Sequence, residues 1–227
     1  MKTVVQCSTG TVGRPALRMI IDRPDLKLIG LHAHGSDKVG RDAAQLCGLD
    51  QATGVLATDD VDALVALGAD CVVYTSQAET RPQQAIDQIT RFLRAGTNVV
   101  GTSLVWMVAP HQADAWLREP LAEACRIGGT SLYLNGVDPG FSGDTLVYTA
   151  LSLAGRATGI TVSEICDYGS YDDAEFTGVS FGFGAEPDHC PIMFSPGVLT
   201  SLWGGQVRSL ADLLGVTFGG ATQTIGA

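Results

Sequence analysis

The chain opens on a short apolar run, Thr3-Val4-Val5-Gln6-Cys7, followed at once by Ser8-Thr9-Gly10-Thr11-Val12-Gly13. An apolar run of this length, bounded by turn residues, predicts a buried strand. The next segment predicts a helix over 14–23, with Pro15 in its first turn and apolar Val12, Ala16, Met19 and Ile20 at helical spacing. Further apolar runs at 26–31, 55–57, 71–75, 98–102 and 131–135 predict strands. Between them, helices are expected over 59–67, over 81–94 with Ile86, Ile89 and Leu93 on one face and Gly96 closing it, and over 111–126. Strands alternating with helices in this order predict an α/β domain, a doubly wound parallel sheet with helices on both faces.

The pattern changes after residue 135. Gly136-Val137-Asp138-Pro139-Gly140 punctuates the chain, and a domain boundary is placed there: a Rossmann-type domain over 1–135 and a second domain over 136–227. In the second part a helix is expected over 141–155, N-capped by Ser142, with Leu146, Val147, Ala150, Leu151 and Ala154 on its apolar face. A strand is expected over 160–168 and another from 216. A helix over 196–215 carries Leu199, Trp203, Val207, Leu210 and Leu214 on one side, with Gly204-Gly205 weakening its middle. So little sheet cannot close a core alone, so the expectation is an incomplete α+β domain.

Composition narrows the function. Hydrophobic residues make up 45% of the 227, enough for a core. A formal net charge of −10 argues against nucleic acid and anionic membranes as partners. The sequence shows no run of eighteen apolar residues and no signal-peptide pattern at its start, and the six cysteines form no C-x-x-C pair. They read as reduced core thiols, and the expected compartment is the cytoplasm.

Candidate chemistry begins at the first turn. A strand, a glycine-bearing turn and a helix N-terminus converge free backbone N–H groups and the positive end of the helix dipole on one point, which suits a dinucleotide pyrophosphate. Of the G-x-G-x-x-G pattern only Gly10 and Gly13 are present, with Ser8 at the first position. Ser8, Thr9, Gly10, Thr11, Val12 and Gly13 are therefore the candidate phosphate-binding residues. The second strand ends near His34, Gly35 and Ser36, with Lys38 and Arg41 behind. A neutral-to-basic strand end favours a ribose 2′-phosphate, so NADP(H) is preferred, with NAD(H) open through Asp37. Thr75, Ser76 and Thr102 follow strands and are candidates for the nicotinamide side. Residues 104–109, with Trp106 and Met107, read as a pocket wall or as core. From 157 to 207 there is no Lys or Arg but seven acids, Glu164, Asp167, Asp172, Asp173, Glu175, Glu186 and Asp188. They read either as a solvated loop or as a surface for a cationic substrate such as an amine; with His189 they match no metal-ligand spacing. Tyr168, Asp167 and Asp138 are the candidate proton donors for a reacting heteroatom, each with a structural alternative.

At Gln6 through Arg14, at Asp37-Lys38-Val39-Gly40-Arg41-Asp42-Ala43 and at Asp138-Pro139-Gly140-Phe141 the sequence resembles the dihydrodipicolinate reductase-like oxidoreductases, nearest the 2,4-diaminopentanoate dehydrogenase and native amine dehydrogenase branch. The resemblance implies a Rossmann domain, a second domain carrying dimer contacts, and hydride transfer between NAD(P)H and a small carbonyl, imine or amine. True dihydrodipicolinate reductases use a catalytic lysine in the second domain; no lysine follows Lys38, which argues against that activity. The amine dehydrogenase branch places a glutamate just after the strand ending at Thr102, where this chain has Leu104 and Val105. That departure motivates the alternative of a cofactor-binding paralogue or sensor without turnover. Members of the group also extend past position 227, so a truncated form is expected.

Overall fold

A computed structural model describes residues 1–171, 173–174, 176–186 and 188–224. The chain divides into two compact units, Met1–Met107 with Asp114–Asn135, and Val108–Ala113 with Gly136–Ala227. No helix among the described residues is long and apolar enough to cross a membrane.

The first unit is a six-stranded parallel sheet: β1 (Lys2–Cys7), β2 (Leu26–His32), β3 (Ala57–Thr58), β4 (Cys71–Tyr74), β5 (Asn98–Gly101) and β6 (Leu132–Leu134), in the order β3-β2-β1-β4-β5-β6. This is the doubly wound order, whose reversal between β1 and β4 opens a crevice at the carboxyl ends of the strands. The crossover helices are α1 (Gly13–Asp22), α2 (Ala43–Cys47), α3 (Val61–Ala66), α4 (Pro82–Arg94) and α5 (Ala115–Gly128). Val4, Val5 and Val72 are fully or almost fully buried, as strands covered on both faces require.

Several local expectations are corrected. The buried face of α1 is Gly13, Leu17 and Ile20, while Val12 and Met19 are exposed, so the packing stripe lies one position on from the one the spacing suggested. Helix α5 begins only at Ala115, because residues 110–112 form a separate 3₁₀ turn and Ala113 is extended. Helix α2 was not anticipated; at five residues it is too short for periodicity to show, and it packs into a core with Leu17, Leu31 and Ala57.

In the second unit, α6 (Thr145–Leu151) is shorter than expected and is capped by Asp144, whose carboxylate accepts from the Thr145 N–H. Ser142 instead donates to the Val137 carbonyl at 2.8 Å and contacts Asp138 at 3.3 Å. Helix α7 (Val198–Leu214) runs unbroken through Gly204 and Gly205, and a Cβ at Gly205 would lie 3.2 Å from the Ala109 methyl, so this glycine serves a close approach. The strands expected over 160–168 and from 216 are not formed. Residues 157–167 are exposed and find no ladder partner among the described residues, so strand-forming composition alone does not make a strand.

Candidate functional site

Strands β1 and β4 end in register at Cys7 and Tyr74, so Ser8 and Thr75 begin the two turns flanking the crevice. Gln6 fixes this corner. Fully buried, its amide donates to the carbonyls of Cys7 and Ser8 and, at 2.9 Å, to the Thr75 hydroxyl, which itself donates to the Cys7 carbonyl at 2.8 Å. The crevice wall is therefore cross-linked before any ligand arrives.

The first fingerprint position explains the imperfect motif. Ser8 has φ +87°, the left-handed conformation that glycine adopts freely and other residues adopt at a cost of about 1–2 kcal/mol. Its hydroxyl accepts from the Gly10 N–H at 3.2 Å, offsetting part of that cost. At Gly13 a Cβ would fall 2.7 Å from the Ser8 carbonyl carbon, closer still to its oxygen, and 3.1 Å from the Thr75 hydroxyl. Only glycine fits there. At Gly10 the nearest atom would be Ser8 Oγ at 3.6 Å, an ordinary contact, so its missing side chain leaves room for something else. The main-chain N–H groups of Thr11, Val12 and Gly13 find no acceptor among the described residues, and Thr11 and Val12 are exposed. Open amides at the start of a ten-residue helix make a site for an anionic group. Ser8→Gly is expected to raise stability by about 1 kcal/mol while leaving ligand affinity within about 2-fold, read by thermal melting and titration.

The other predicted residues distribute along the same sheet edge. His34 is exposed beyond β2, its ring edge-on to His32 at 4.4 Å. Ser36 is exposed and Lys38 half-buried, the Lys38 N–H donating to the Gly35 carbonyl at 2.8 Å. Ser76 is buried, its hydroxyl without an acceptor among the described residues, while its carbonyl accepts from Ser103. Thr102 donates its N–H to the Tyr74 carbonyl at 3.1 Å. Sequence reasoning passed over His32 and Arg81. His32 is 1% exposed, and burial, then His34, hold its imidazole down to about 4, against the opposing influence of Asp59. Arg81, exposed before α4, acts electrostatically on His34. Nothing in a single sequence pairs residues 34 and 81.

In the second unit the three proton-donor candidates separate. Asp138 is held by the Trp203 indole N–H at 2.9 Å and by Ser142. Asp167 accepts from the Gly169 N–H at 2.8 Å and so caps the 3₁₀ turn Tyr168–Ser170. Tyr168 packs among aromatic rings, 4.9 Å from Phe181 and 5.7 Å from Phe183, and burial first, then Cys166 and Glu164, pushes its phenol up to about 12. The group that stands out is Glu164. Although Glu164 is exposed, hydrogen bonding to Asp138 first, then partial desolvation and the Asp138 charge, raise its carboxyl to about 7. A neighbouring carboxylate favours the protonated form, so Glu164 keeps its proton closer to neutrality than a free glutamate does.

Of the remaining acids, Asp172 and Glu175 lie outside the described residues. Asp173 accepts from the Phe176 N–H at 2.9 Å, a structural role. Cys166 and Cys190 are exposed, against the expectation of core thiols; all six cysteines are free, and burial raises the Cys7 thiol to about 12. Ser209, His111 and Asp212 also converge, but Ser209 Oγ at 3.3 Å and Asp212 at 3.7 Å both face the same nitrogen, His111 Nε2. That geometry lacks the relay through two ring nitrogens that a hydrolytic triad needs.

Over 219 residues the chain is 40% identical to the amine dehydrogenase of Streptomyces virginiae, a match covering 95% of this chain and 60% of that protein. The chain is similar to amine dehydrogenases. It is also 32% identical over 105 residues to a 4-hydroxy-tetrahydrodipicolinate reductase of Paraburkholderia phymatum, across 45% of this chain and 37% of that one. The resemblance to these oxidoreductases is thus borne out. Among solved structures, the amine dehydrogenase of Mycobacterium smegmatis superposes with a TM-score of 0.61 at 22% identity, covering 68% of this chain and 45% of that one, which shows the shared fold. No family model matches. The chain spans about 60% of the length of its amine dehydrogenase relative and less of the reductase.

Proposed function

We propose that the chain is an NAD(P)H-dependent oxidoreductase in which the first unit binds the nicotinamide dinucleotide, NADP(H) ahead of NAD(H), and hydride passes to or from a small carbonyl, imine or amine. One observation carries the reading: at the β1–β4 switch point, a turn with a left-handed Ser8 and a sterically obligatory Gly13 presents open amides at the start of α1. Similarity to an amine dehydrogenase supports the substrate class.

In this reading Ser8 through Gly13 hold the pyrophosphate, His34, Ser36 and Lys38 face the adenosine ribose, and Thr75, Ser76 and Thr102 border the nicotinamide. The bound nicotinamide supplies or accepts the hydride. The protein must orient the substrate and manage one proton on the heteroatom. Glu164 beside Asp138 is the best candidate for that proton, since its carboxyl is raised to about 7, whereas the Tyr168 phenol is pushed up to about 12 and Asp167 is engaged as a cap. The expected pH dependence follows. Reduction requires protonated Glu164, so kcat/KM in that direction falls above about pH 7, and Glu164→Gln flattens this limb. A profile unchanged by Glu164→Gln would remove the pair from the mechanism.

The reading is tested by NADPH oxidation with a ketone in the presence and absence of ammonia. Ketone-dependent turnover supports it. Cofactor binding without turnover across a ketone and aldehyde panel would favour the second reading, a binding paralogue, which rests on the buried Leu104 standing where the resemblance expects a glutamate. The six free cysteines fit a reducing cytoplasm, and the resemblance favours a homodimer, checked by sedimentation.

A further inference from the structure

Gln6 is a polar residue inside the sheet, where its neighbours along β1, Val4, Val5 and Cys7, are apolar and buried. Its side chain is fully buried, and its amide oxygen finds no donor among the described residues. A leucine there would bury no unmet group of its own, so the amide calls for an explanation. The bonds of its nitrogen supply one. That nitrogen donates to the Thr75 hydroxyl at 2.9 Å, to the Ser8 carbonyl at 3.1 Å and to the Cys7 carbonyl at 3.3 Å. A flipped amide would set its oxygen against those two carbonyls, so the donor face is fixed. Thr75 is fixed in turn, because its hydroxyl and its N–H both donate to the Cys7 carbonyl, at 2.8 and 3.1 Å.

Ser8 is thereby held on both sides. Its N–H donates to the His32 carbonyl of β2 at 3.0 Å, its carbonyl accepts from Gln6, and the residue between these two anchors sits at φ +87°. Resting on the cofactor reading above, we propose that Gln6 is the positioning residue that supplies what the absent fingerprint glycine would. It keeps Ser8 left-handed, and so keeps the open amides of Thr11, Val12 and Gly13 in place for the pyrophosphate, without itself touching the cofactor. Released from Gln6, a serine returns to negative φ, which a residue with a side chain favours by about 5- to 30-fold. The turn is then competent to bind only in the minor fraction, and apparent affinity falls by the same factor. Glycine adopts both signs of φ about equally, so Ser8→Gly makes binding almost independent of Gln6.

The experiment is a double-mutant cycle on the full chain: calorimetric titration with NADPH and NADH, alongside thermal melting, of wild type, Gln6→Met, Ser8→Gly and the two combined. Gln6→Met is close to glutamine in volume and flexible enough to fill the same space. It is expected to weaken NADPH about 5- to 30-fold when Ser8 is present and about 2-fold when combined with Ser8→Gly. A Gln6 that served folding alone would lower the melting temperature of both Gln6→Met chains and leave their affinities additive. Should Gln6→Met fail to melt cooperatively, the same cycle is run with Gln6→Leu, with the same expectation. Equal losses of affinity with and without Ser8→Gly, or wild-type affinity in the Gln6 variant, would overturn the role of Gln6 and leave the cofactor reading standing. Failure of both the wild type and Ser8→Gly to bind either cofactor would overturn both.

Discussion

Gly10→Ala and Gly13→Ala are expected to separate binding from folding at the first turn. At Gly13 the new methyl overlaps the Ser8 carbonyl and crowds the Thr75 hydroxyl, both fixed by the Gln6 network. Backbone cannot yield there as a flexible side chain would, and the overlap should cost about 3 kcal/mol. The melting temperature should drop by about 10 °C, and NADPH affinity should fall at least about 100-fold because the β1–α1 approach is displaced. At Gly10 the methyl meets only Ser8 Oγ at an ordinary 3.6 Å, and its backbone needs no left-handed φ. Stability should change by less than about 0.5 kcal/mol, since surface substitutions away from packed or strained positions rarely do more. Affinity should nevertheless fall steeply, because the methyl fills the space left for the pyrophosphate. Thermal melting and titration of the two variants give the pattern directly. If Gly10→Ala bound NADPH as well as the wild type, the phosphate would not lie against this turn.

Asp42→Ala is the second large effect, and it is one of stability. Asp42 Oδ1 accepts from the N–H groups of Ala44 at 2.8 Å and Thr53 at 3.0 Å and from the Thr53 hydroxyl, while Oδ2 accepts from the Gly54 N–H at 2.7 Å. One carboxylate therefore caps α2 and closes the connection from β2 to β3. Removing it loses a helix cap and strands two further part-buried amides, together about 3–4 kcal/mol. Asp42→Asn keeps one carbonyl oxygen and should lose about half of that. Burial pushes the carboxyl up, but the backbone hydrogen bonds from Thr53, Ala44 and Gly54 outweigh it and hold it below the usual range. The sign follows: a depressed carboxyl contributes stability above its unfolded value near 4, and the contribution is lost as pH falls further, through the folded value. Wild type should therefore lose more stability than Asp42→Ala between pH 5 and 3 in chemical denaturation.

Asp42 also shows what was legible in the sequence. It belongs to the Asp37-to-Ala43 segment that carried part of the family resemblance, yet its contacts are structural. The parallel sheet was readable because each strand is a short apolar run flanked by turn residues, and burial on both faces demands that composition. The first turn was readable as an anion site, but not the left-handed backbone at Ser8, since serine gives no signal for it. Interactions between distant residues were not readable: Glu164 with Asp138, 26 positions apart, and the charge of Arg81 felt at His34, 47 positions away. The segment 160–168 is read as a strand from its sequence but lacks a neighbour, and pairing is a property of two segments that one segment cannot supply.

The central claim is that the β1–α1 turn holds a nicotinamide dinucleotide, and calorimetric titration of the wild-type chain with NADPH and NADH at pH 7 tests it most directly. The account predicts saturable binding at one site per chain, with NADPH the tighter ligand and the signal lost in Gly10→Ala. Absence of saturable heat with both cofactors, from a chain that melts cooperatively, would contradict it.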